Sequence, residues 1–394
     1  MNKVDRWLLP DGIEEMLPLQ AMQIETLRRR LINLFQRWGY DYVIPPMVEF
    51  TDSLLVGLGQ DIELLTFKVT DQISGKMMGI RADITPQAAR MDAHSLKRKG
   101  INRMCYAGHV MHTKMKAPLS SRTPIKVGVE LFGEASLDAD IEIVSLLLET
   151  LKEASIDKQY IDIGHVGIYR ALAEAAGLDD EEENALFKLL QTKSMADIHA
   201  WIDKHVKDAD CRSWLSELPK LSGDIGILNK ACELFESAPA EVNVALEELK
   251  AVANMIAKRY PKAQCYFDLS ELRGYYYHTG IVFGAFAPGV GNAIASGGRY
   301  DHIGEAFGRA RPATGFDFDL TAVAKLIPAV DERVPGIFVP LCDHVDYWTT
   351  IQELREQGER VVCGLSSQTR ADEGQFCNRE LVEKDGILAV CELS

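Results

Sequence analysis

The sequence predicts an α+β fold: an antiparallel sheet flanked by helices, with a helical insertion and a small C-terminal α/β domain. Three observations lead to this prediction. Strand-like segments separated by short turns occur before residue 135 and again after residue 263, helical segments fill the stretch between them, and the tail alternates strands with a helix. Because the chain has 394 residues, more than the roughly 250 to 300 at which single cores stop growing, at least two domains are expected.

The first element is an amphipathic helix over residues 19–38. Its apolar residues recur at steps of three and four, and Gly39 ends it. The apolar positions are Ile24, Leu27, Leu31, Leu34, Phe35 and Trp38. The extended segment YDYVIPPMVEF follows, and its two prolines cannot donate ladder hydrogen bonds, so we place this strand at an edge or an interface.

Four further strand-like segments precede the next helix: LLTFKVTD, KMMGIRAD, RMCYAGHVM and IKVGVELFGEA. The short turns between them predict an antiparallel meander. A helix is then predicted over residues 138–154, because Ile141, Val144, Leu148 and Leu151 share one face.

Acidic segments rich in Ala and Leu occupy residues 171–258 and are typical of a helical insertion. Strands return at QCYFDLS, GIVFGAF and NAIASGGRY, and the first domain closes with TGFDFDLTAVAKLI. We therefore assign residues 1–328 to the first domain, the following AVDERVPG to a linker, and residues 335–394 to the small domain.

Composition excludes several functional classes. The net charge of −15 and the pI of about 5.1 provide no overall field for nucleic acid. The eight cysteines contain no CxxC pair and the nine histidines no ligand spacing, so neither a metal site nor a disulfide framework is expected. Because no signal peptide is visible and no apolar run reaches the ~20 residues of a membrane span, we expect a cytoplasmic protein without a membrane partner.

Glu130 is the most unusual residue, because it lies on an otherwise apolar strand. A buried carboxylate must be paired or neutralised, since leaving it alone in an apolar site is costly. A cationic group, from the chain or from a ligand, is therefore expected nearby.

Three other segments are candidates for chemistry. In SELRGYYYHTGIVF, Arg273 and His278 flank three tyrosines before a strand, although an aromatic strand face with a surface arginine would look the same. In GIRADITPQAAR, Arg81, Asp83 and Thr85 alternate and would share one face of a strand, either as a site or as a salt-bridged edge. In ASGGRYDHIGEAFG, adjacent glycines permit close backbone approach to a ligand, or a plain bulge.

Over roughly the first 320 residues, and in order, these segments resemble the catalytic core of histidyl-tRNA synthetase, a class II aminoacyl-tRNA synthetase. RWGYDYVIPPMVEF resembles motif 1, YAGHVMHTK through VGVELFG resembles motif 2, and ELRGYYYHTGIVF resembles the histidine-reading segment. GGRYDHIGEAFG and TGFDFDL resemble the approach to motif 3. The resemblance implies a class II synthetase fold and a self-dimer formed through the motif 1 region.

The resemblance also implies a binding pocket for L-histidine. Its implied contacts are Asp83 and Thr85 at the α-amino group, Glu130 at the ammonium or imidazole side, Arg273 at the carboxylate, Tyr277 and His278 at the ring, and Lys126, which stands where the family has Gln. On this interpretation the bound amino acid supplies the positive charge that Glu130 lacks.

The chain departs from the synthetases where they bind ATP. Motif 2 of a working synthetase carries an Arg and a Glu, and this chain has His112 and Lys114 there; the motif 3 Arg falls on Ala322. Stabilising a developing anion needs fixed positive charge, and His is mostly neutral at pH 7. We therefore expect no aminoacyl adenylate, no catalytic residue and no cofactor.

The tail decides between RNA-binding and other roles. Residues 321–394 carry seven Lys and Arg against thirteen Asp and Glu, a poor surface for a phosphate backbone, so no nucleic-acid partner is expected. A synthetase-like core with a histidine pocket but neither ATP chemistry nor an RNA-binding tail resembles the regulatory subunits of ATP phosphoribosyltransferase. That family implies a short catalytic subunit as partner, a hetero-octamer, activation of the first step of histidine biosynthesis and feedback inhibition by histidine. The alternatives are a true histidyl-tRNA synthetase and a synthetase-like tRNA sensor.

Overall fold

The structure, a computed structural model, describes residues 7–56, 60–117, 120–327, 334–342, 344–384 and 386–393. The chain divides into two compact units, Met1–Leu17 with Ile24–Ala329 and Pro18–Gln23 with Val330–Ser394. The linker predicted at AVDERVPG lies largely outside the described residues. The domain boundary that we place there stays a prediction.

The helices follow the apolar spacing of the sequence. Within the described residues they are α1 Pro18–Arg37, α2 Thr51–Leu54, α3 Gln60–Leu65, α4 Thr85–Arg90, α5 Leu137–Glu153, α6 Val166–Ala175, α7 Asp180–Thr192, α8 Met195–His205, α9 Ala209–Glu217, α10 Gly226–Leu234, α11 Ala240–Arg259, α12 Leu320–Ala324 and α13 Val345–Glu356. The helices predicted at 19–38 and 138–154 are confirmed as α1 and α5, each to within about a residue at either end. No helix in the described part of the chain is long and apolar enough to cross a membrane.

The strands belong to three sheets. They are β1 Asp41–Tyr42, β2 Val48–Phe50, β3 Phe67–Thr70, β4 Met77–Ile80, β5 Asn102–His109, β6 Ile125–Phe132, β7 Tyr160–His165, β8 Ser222–Gly223, β9 Gln264–Asp268, β10 Ile281–Phe286, β11 Ala295–Arg299, β12 Ala313–Asp319, β13 Gly336–Val339, β14 Val361–Cys363, β15 Cys377–Lys384 and β16 Ile387–Glu392.

The largest sheet has nine strands in the order β1-β5-β6-β12-β11-β10-β7-β9-β8. Its central pairs are antiparallel, while β1 runs parallel to β5 and β7 runs parallel to β9. The buried stripe of α1, including Leu31 and Phe35, and that of α5, including Val144, share one core with Val127 and Val129 of β6. This arrangement is the helix-flanked antiparallel sheet that the sequence predicts.

The predicted four-strand meander is wrong. β3 and β4 leave the large sheet and pair with β2 in a separate antiparallel sheet, in the order β2-β4-β3. Pro45 and Pro46 interrupt the motif 1 segment because they cannot donate ladder hydrogen bonds, so its two ends form short strands in different sheets. Each of these strands lies at the edge of its sheet, as predicted.

The predicted strand face of Arg81, Asp83 and Thr85 is also wrong. β4 ends at Ile80, and Thr85 begins α4 with Pro86 in its first turn. Proline is tolerated there because the first amides of a helix have no acceptor within the helix. The Asp83 Oδ1 atom accepts the amide hydrogens of Ile84 at 2.6 Å and Thr85 at 3.2 Å, which fixes this turn. The Arg81 guanidinium instead donates to two backbone carbonyl oxygens.

The stretch predicted as a helical insertion is formed by helices α6 to α11 with the two-residue strand β8. Buried apolar residues join these helices to the core of the large sheet, among them Leu172, Leu186, Leu215 and Leu249. The insertion therefore packs directly on the sheet that carries the candidate site.

The smaller unit contains a four-stranded sheet in the order β14-β13-β15-β16, with α13 on one face. Its core is formed by Ile337, Val339, Ile351, Val361 and Leu381. The sequence predicts the other elements but not β15, because CNRELVEK is mostly polar and buries only Leu381 fully. The charged residues hide its alternation.

Candidate functional site

A cavity of about 360 Å³ lies where β6, β11 and β12 run side by side. Its other walls come from α3, the start of α4 and the loop of residues 269–280 between β9 and β10, here named the pocket loop. The lining residues are Ile62, Asp83, Thr85, Pro86, Glu130, Arg273, Gly274, Tyr276, Tyr277, His278, Ser296, Gly297, Tyr300, Gly315, Phe316 and Asp317. Its volume lies within the range of small-molecule pockets.

The structure brings six of the seven sequence-predicted residues to this cavity: Asp83, Thr85, Glu130, Arg273, Tyr277 and His278. Lys126 is not among the lining residues. Its ammonium group contacts the carboxylate of Asp317, which does line the cavity. Lys126 therefore holds a wall residue rather than facing the cavity itself.

Glycines on β11 and β12 leave room for the side chains of the cavity. Glu130 on β6 pairs with Gly315 on β12, which pairs with Gly298 on β11, so the three residues form one row across the sheet. A Cβ atom at Gly315 would overlap the Glu130 carboxylate, and one at Gly298 would lie 3.0 Å from the His278 ring. The glycines of the ASGGRYDH and TGFDFDL segments thus permit the close approach that the sequence suggested for the former.

Hydroxyl groups surround the Glu130 carboxyl, whose residue is 1% exposed. Tyr106 donates to Oε1 at 3.0 Å and Tyr300 donates to Oε2, while the Thr85 hydroxyl lies 3.2 Å from that of Tyr106. In the described part of the chain no cationic side chain bonds to Glu130. Burial raises the pKa of Glu130 to about 8, opposed by these hydrogen bonds and assisted by the Asp317 charge, so the carboxyl is mostly neutral at pH 7.

The expectation of a nearby cation is thus not met by the described part of the chain itself. With its pKa raised to about 8, the carboxyl is expected to keep a proton at pH 7 in the free cavity, and a cationic ligand group is the other source of positive charge.

The aromatic wall is formed by Tyr277, Tyr300 and His278. The Tyr277 ring stacks on that of Tyr300 with centroids 4.9 Å apart, and the His278 ring meets it edge to face at 5.0 Å. Burial lowers the pKa of His278 to about 4, so its ring is neutral, with Nδ1 3.2 Å from the Arg299 carbonyl oxygen. Among the residues that the structure describes, none is a hydrogen-bond partner of the buried Tyr277 hydroxyl. It is therefore free to bond a ligand.

Arg273 provides the positive pole of the cavity. Glu271 accepts its backbone amide at 2.8 Å and its Nη2 at 3.3 Å, which orients the guanidinium. The Nη1 atom is buried and has no hydrogen-bond partner in the described part of the chain. A guanidinium with unused donors binds a carboxylate well, whereas Asp83, Glu130 and Asp317 suit an ammonium or a ring N–H. The cavity therefore fits a zwitterionic amino acid.

His112 occupies the motif 2 position but turns inward. It is 2% exposed, and its Nε2 lies 3.0 Å from the Ala82 carbonyl oxygen. Burial lowers the pKa of His112 to about 4, which favours the neutral ring near pH 7. Lys114 and Ala322 are exposed. Of these three positions, only Lys114 carries a charge.

Sequence reasoning missed Tyr106, Tyr300 and Asp317 as parts of the site. Tyr300 follows the glycine pair that was noted, and Asp317 alternates with Asp319 in FDFD, a pattern that indicates the strand but not which residue faces the cavity. Tyr106 carries no local signal, because it is one apolar-looking residue of a buried strand.

Comparison with known proteins places this geometry in a family. The model for histidyl-tRNA synthetase matches residues 12–323, and the model for the ATP phosphoribosyltransferase subunit HisZ C-terminal domain matches residues 334–390. The ATP phosphoribosyltransferase regulatory subunit of Teredinibacter turnerae is 63% identical over 386 residues, 98% of each chain. That of Saccharophagus degradans is 61% identical over 384 residues, again 98% of each chain. The chain belongs to the family of ATP phosphoribosyltransferase regulatory subunits.

Solved structures agree with this regulatory-subunit family on the fold. A chain described as an ATP phosphoribosyltransferase regulatory subunit/histidyl-tRNA synthetase from Bacillus halodurans superposes with a TM-score of 0.80 at 24% identity, covering 92% of this chain and 94% of that one. Histidyl-tRNA synthetase from Nostoc sp. PCC 7120 gives 0.76 at 18% identity, covering 95% and 91%. These likenesses confirm the predicted class II synthetase fold, and the family name places the chain in histidine biosynthesis.

Proposed function

We propose that this chain is a non-catalytic subunit that activates a short-form ATP phosphoribosyltransferase catalytic subunit and binds L-histidine for feedback inhibition. The observation that carries the proposal is the chemistry of the cavity lining: an amino-acid-sized site combines the Arg273 guanidinium with the carboxyl groups of Asp83, Glu130 and Asp317. The positions that would bind ATP in a synthetase, His112, Lys114 and Ala322, lack the matching charges.

Each functional group of histidine has a matching group in the cavity. The free Nη1 donors of Arg273 suit the ligand carboxylate, and the Asp83 carboxylate with the Thr85 hydroxyl suits the α-ammonium group. Glu130 and the unpartnered Tyr277 hydroxyl can then bond the polar edge of the imidazole, while its ring packs on the aromatic wall. An amino acid without a polar side chain would leave the buried Glu130 and Tyr277 groups without a hydrogen-bond partner from the ligand, which is costly.

The first test is reconstitution. A binding pocket that catalyses no reaction can change a reaction rate only when it is coupled to an active site elsewhere, here in a catalytic subunit. Mixing this chain with a cognate short catalytic subunit is expected to produce a larger species, a hetero-octamer, in sedimentation and a faster turnover of ATP and phosphoribosyl diphosphate. Histidine is expected to inhibit the mixture. If mixing changes neither sedimentation nor rate, the regulatory proposal is wrong.

The purified chain is expected not to activate histidine. With a neutral, inward-facing His112 and no guanidinium at Ala322, the site cannot hold the triphosphate and stabilise its developing charge. Histidine-dependent exchange of pyrophosphate into ATP is the measurement, with an active histidyl-tRNA synthetase assayed alongside as a positive control. Exchange above the protein-free background would favour the synthetase alternative.

The self-dimer expected through motif 1 has a suitable surface in the small sheet. Cross-strand pairing puts six apolar side chains on one face: Val48, Phe50, Phe67, Val69, Met78 and Ile80. Val48, Phe50 and Val69 are 37%, 42% and 41% exposed. A contiguous apolar face of this kind is typical of an interaction surface.

A charge placed on this face is expected to break the dimer. Phe50→Asp should sediment as a monomer in the absence of the catalytic subunit, because burying an unpaired carboxylate in an apolar interface is strongly unfavourable. Val244→Asp on α11, where the side chain is 59% exposed, is the matched control and should keep the mass of the unmodified chain. A Phe50→Asp variant that stays dimeric would move the interface elsewhere.

A further inference from the structure

The pocket loop carries three consecutive tyrosines whose side chains reach different neighbours. Tyr277 stacks on Tyr300 in the cavity wall. Tyr275 points away from it: its hydroxyl donates to the Glu183 carboxylate, and its ring stacks on Phe187 with centroids 5.0 Å apart and planes 25° apart. The loop is therefore held between the ligand cavity and helix α7 of the insertion.

Tyr276 makes a second connection to the same helix. Its hydroxyl donates to the Asn184 side-chain oxygen, and its ring meets Phe187 edge to face at 5.3 Å. Glu183 and Asn184 lie four and three positions before Phe187, so both side chains are on the same side of α7 as its ring. These three residues are here named the α7 contact face.

Helix α6 completes the support. The Arg170 guanidinium donates through Nη2 to the carbonyl oxygens of Tyr275 and His278, both at 3.3 Å, and lies 5.0 Å from the centre of the Tyr275 ring. Tyr169 packs edge to face on the same ring at 5.4 Å. Two helices of the insertion thus contact the backbone and the side chains of the pocket loop.

The loop depends on these contacts because it has no regular structure of its own between β9 and β10. Gly274 adopts a left-handed conformation, with φ of +64°, directly after Arg273 and before the three tyrosines. An irregular loop that exposes its backbone opens more easily than a strand or helix. Side chains outside the loop therefore help to select its ligand-binding conformation, together with the turns that the loop forms within itself.

We propose that the α7 contact face positions the pocket loop, so that Glu183, Asn184 and Phe187 set the affinity of the cavity without touching the ligand. The proposal rests on the proposed histidine site and adds that α7 responds to ligand binding there. If the loop is correctly placed only part of the time, the apparent affinity falls by that fraction. Coupling is reciprocal, so a ligand that orders Arg273, Tyr277 and His278 also tightens the loop on α7.

The test compares two substitutions of the same residue. Asn184→Asp keeps an oxygen that can accept the Tyr276 hydroxyl, whereas Asn184→Leu has a similar size but no acceptor. Asn184→Leu is expected to raise the histidine dissociation constant by about two- to thirtyfold, the range seen when residues between coupled sites are changed. Asn184→Asp should bind as the unmodified chain does. If residue 184 only stabilised the fold, Asn184→Leu and Asn184→Asp variants with the same unfolding temperature would bind histidine equally tightly.

A second pair of variants tests the ring contact. Phe187→Leu removes the surface on which Tyr275 and Tyr276 pack, and Phe235→Leu makes the same change in the insertion core; the two phenylalanines are 5% and 0% exposed. Only Phe187→Leu is expected to weaken histidine binding, measured by titration calorimetry. Hydrogen exchange should also show slower exchange of the α7 amides when histidine is added to the unmodified chain.

The outcomes separate this proposal from the one on which it rests. If the unmodified chain binds no histidine, the proposed function fails. If it binds histidine while Asn184→Leu and Phe187→Leu bind equally tightly, or if histidine slows exchange in the pocket loop but not in α7, the positioning role of the α7 contact face is overturned.

Discussion

Replacing Arg273 with alanine is expected to weaken histidine binding by about ten- to a hundredfold. The guanidinium is the positive pole of the cavity, and its buried Nη1 group has no partner within the described protein. Losing a charge-assisted hydrogen bond costs about 1.5 to 3 kcal/mol, which corresponds to this loss of affinity. Glu130→Ala, which changes another residue that lines the cavity, should act in the same direction.

Titration calorimetry on the isolated chain measures the binding, and inhibition curves of the mixture with the catalytic subunit measure its consequence. Arg273→Ala should still assemble, as judged by sedimentation, but need correspondingly more histidine for half-inhibition. Arg259→Ala, an exposed arginine at the end of α11, is the matched control and should behave as the unmodified chain. Intact inhibition with Arg273→Ala, or unchanged calorimetric binding by the Arg273 and Glu130 variants, would remove these residues from the site.

The contribution of Glu130 to the stability of the ligand-free chain is expected to fall as pH rises from about 5 to 8. Burial raises its folded-state pKa to about 8, whereas an unfolded chain has a glutamate pKa near 4.3. Between these values the folded state keeps a proton that the unfolded state has lost, so raising the pH favours unfolding. The slope approaches roughly 1.4 kcal/mol per pH unit for this one group.

The Glu130→Gln variant isolates this effect, because its amide stays neutral at every pH. From pH 5.5 to 7.5, the free energy of unfolding of the unmodified chain should fall relative to that of Glu130→Gln by about 2 to 3 kcal/mol. Urea unfolding at each pH is the measurement, and Glu233→Gln on α10 is an exposed control that should keep the unmodified slope. Parallel pH curves for the unmodified chain and Glu130→Gln would show that Glu130 is ionised in the free pocket.

In the folded state, the tyrosines and the histidine that face Glu130 do not titrate across this window. Burial raises the pKa values of Tyr106, Tyr277 and Tyr300 well above their usual value near 10, so these hydroxyls stay protonated. His278 is neutral throughout, because burial lowers its pKa to about 4. Burial raises the pKa of Asp317, opposed by the charge of Lys126, and this effect is present in the unmodified chain and in Glu130→Gln alike. The difference in pH dependence between these two chains therefore reports on Glu130 itself.

The sequence by itself determined the features that depend on near neighbours along the chain. The apolar steps of α1 and α5 and the alternation in the strands follow from the periods of helix and strand, so the fold class could be predicted. Six of the seven candidate residues line one cavity. They could be predicted from the sequence because their segments resemble those of a known family and occur in the same order. Lys126 is the exception, since its direction depends on Asp317 on a neighbouring strand.

Only the tertiary structure decided which side chains meet. Tyr300 bonds Glu130 across 170 positions of sequence, and the α7 residues that hold Tyr275 and Tyr276 lie 92 positions before them. The separate sheet of β3 and β4 and the helical start at Thr85 likewise escaped prediction. Strand order, register and helix docking arise from burial summed over the whole core, and no local spacing records them. For this reason the sequence indicated that Glu130 needed neutralising, but the packing of three strands and a loop decided that hydroxyl groups would surround it.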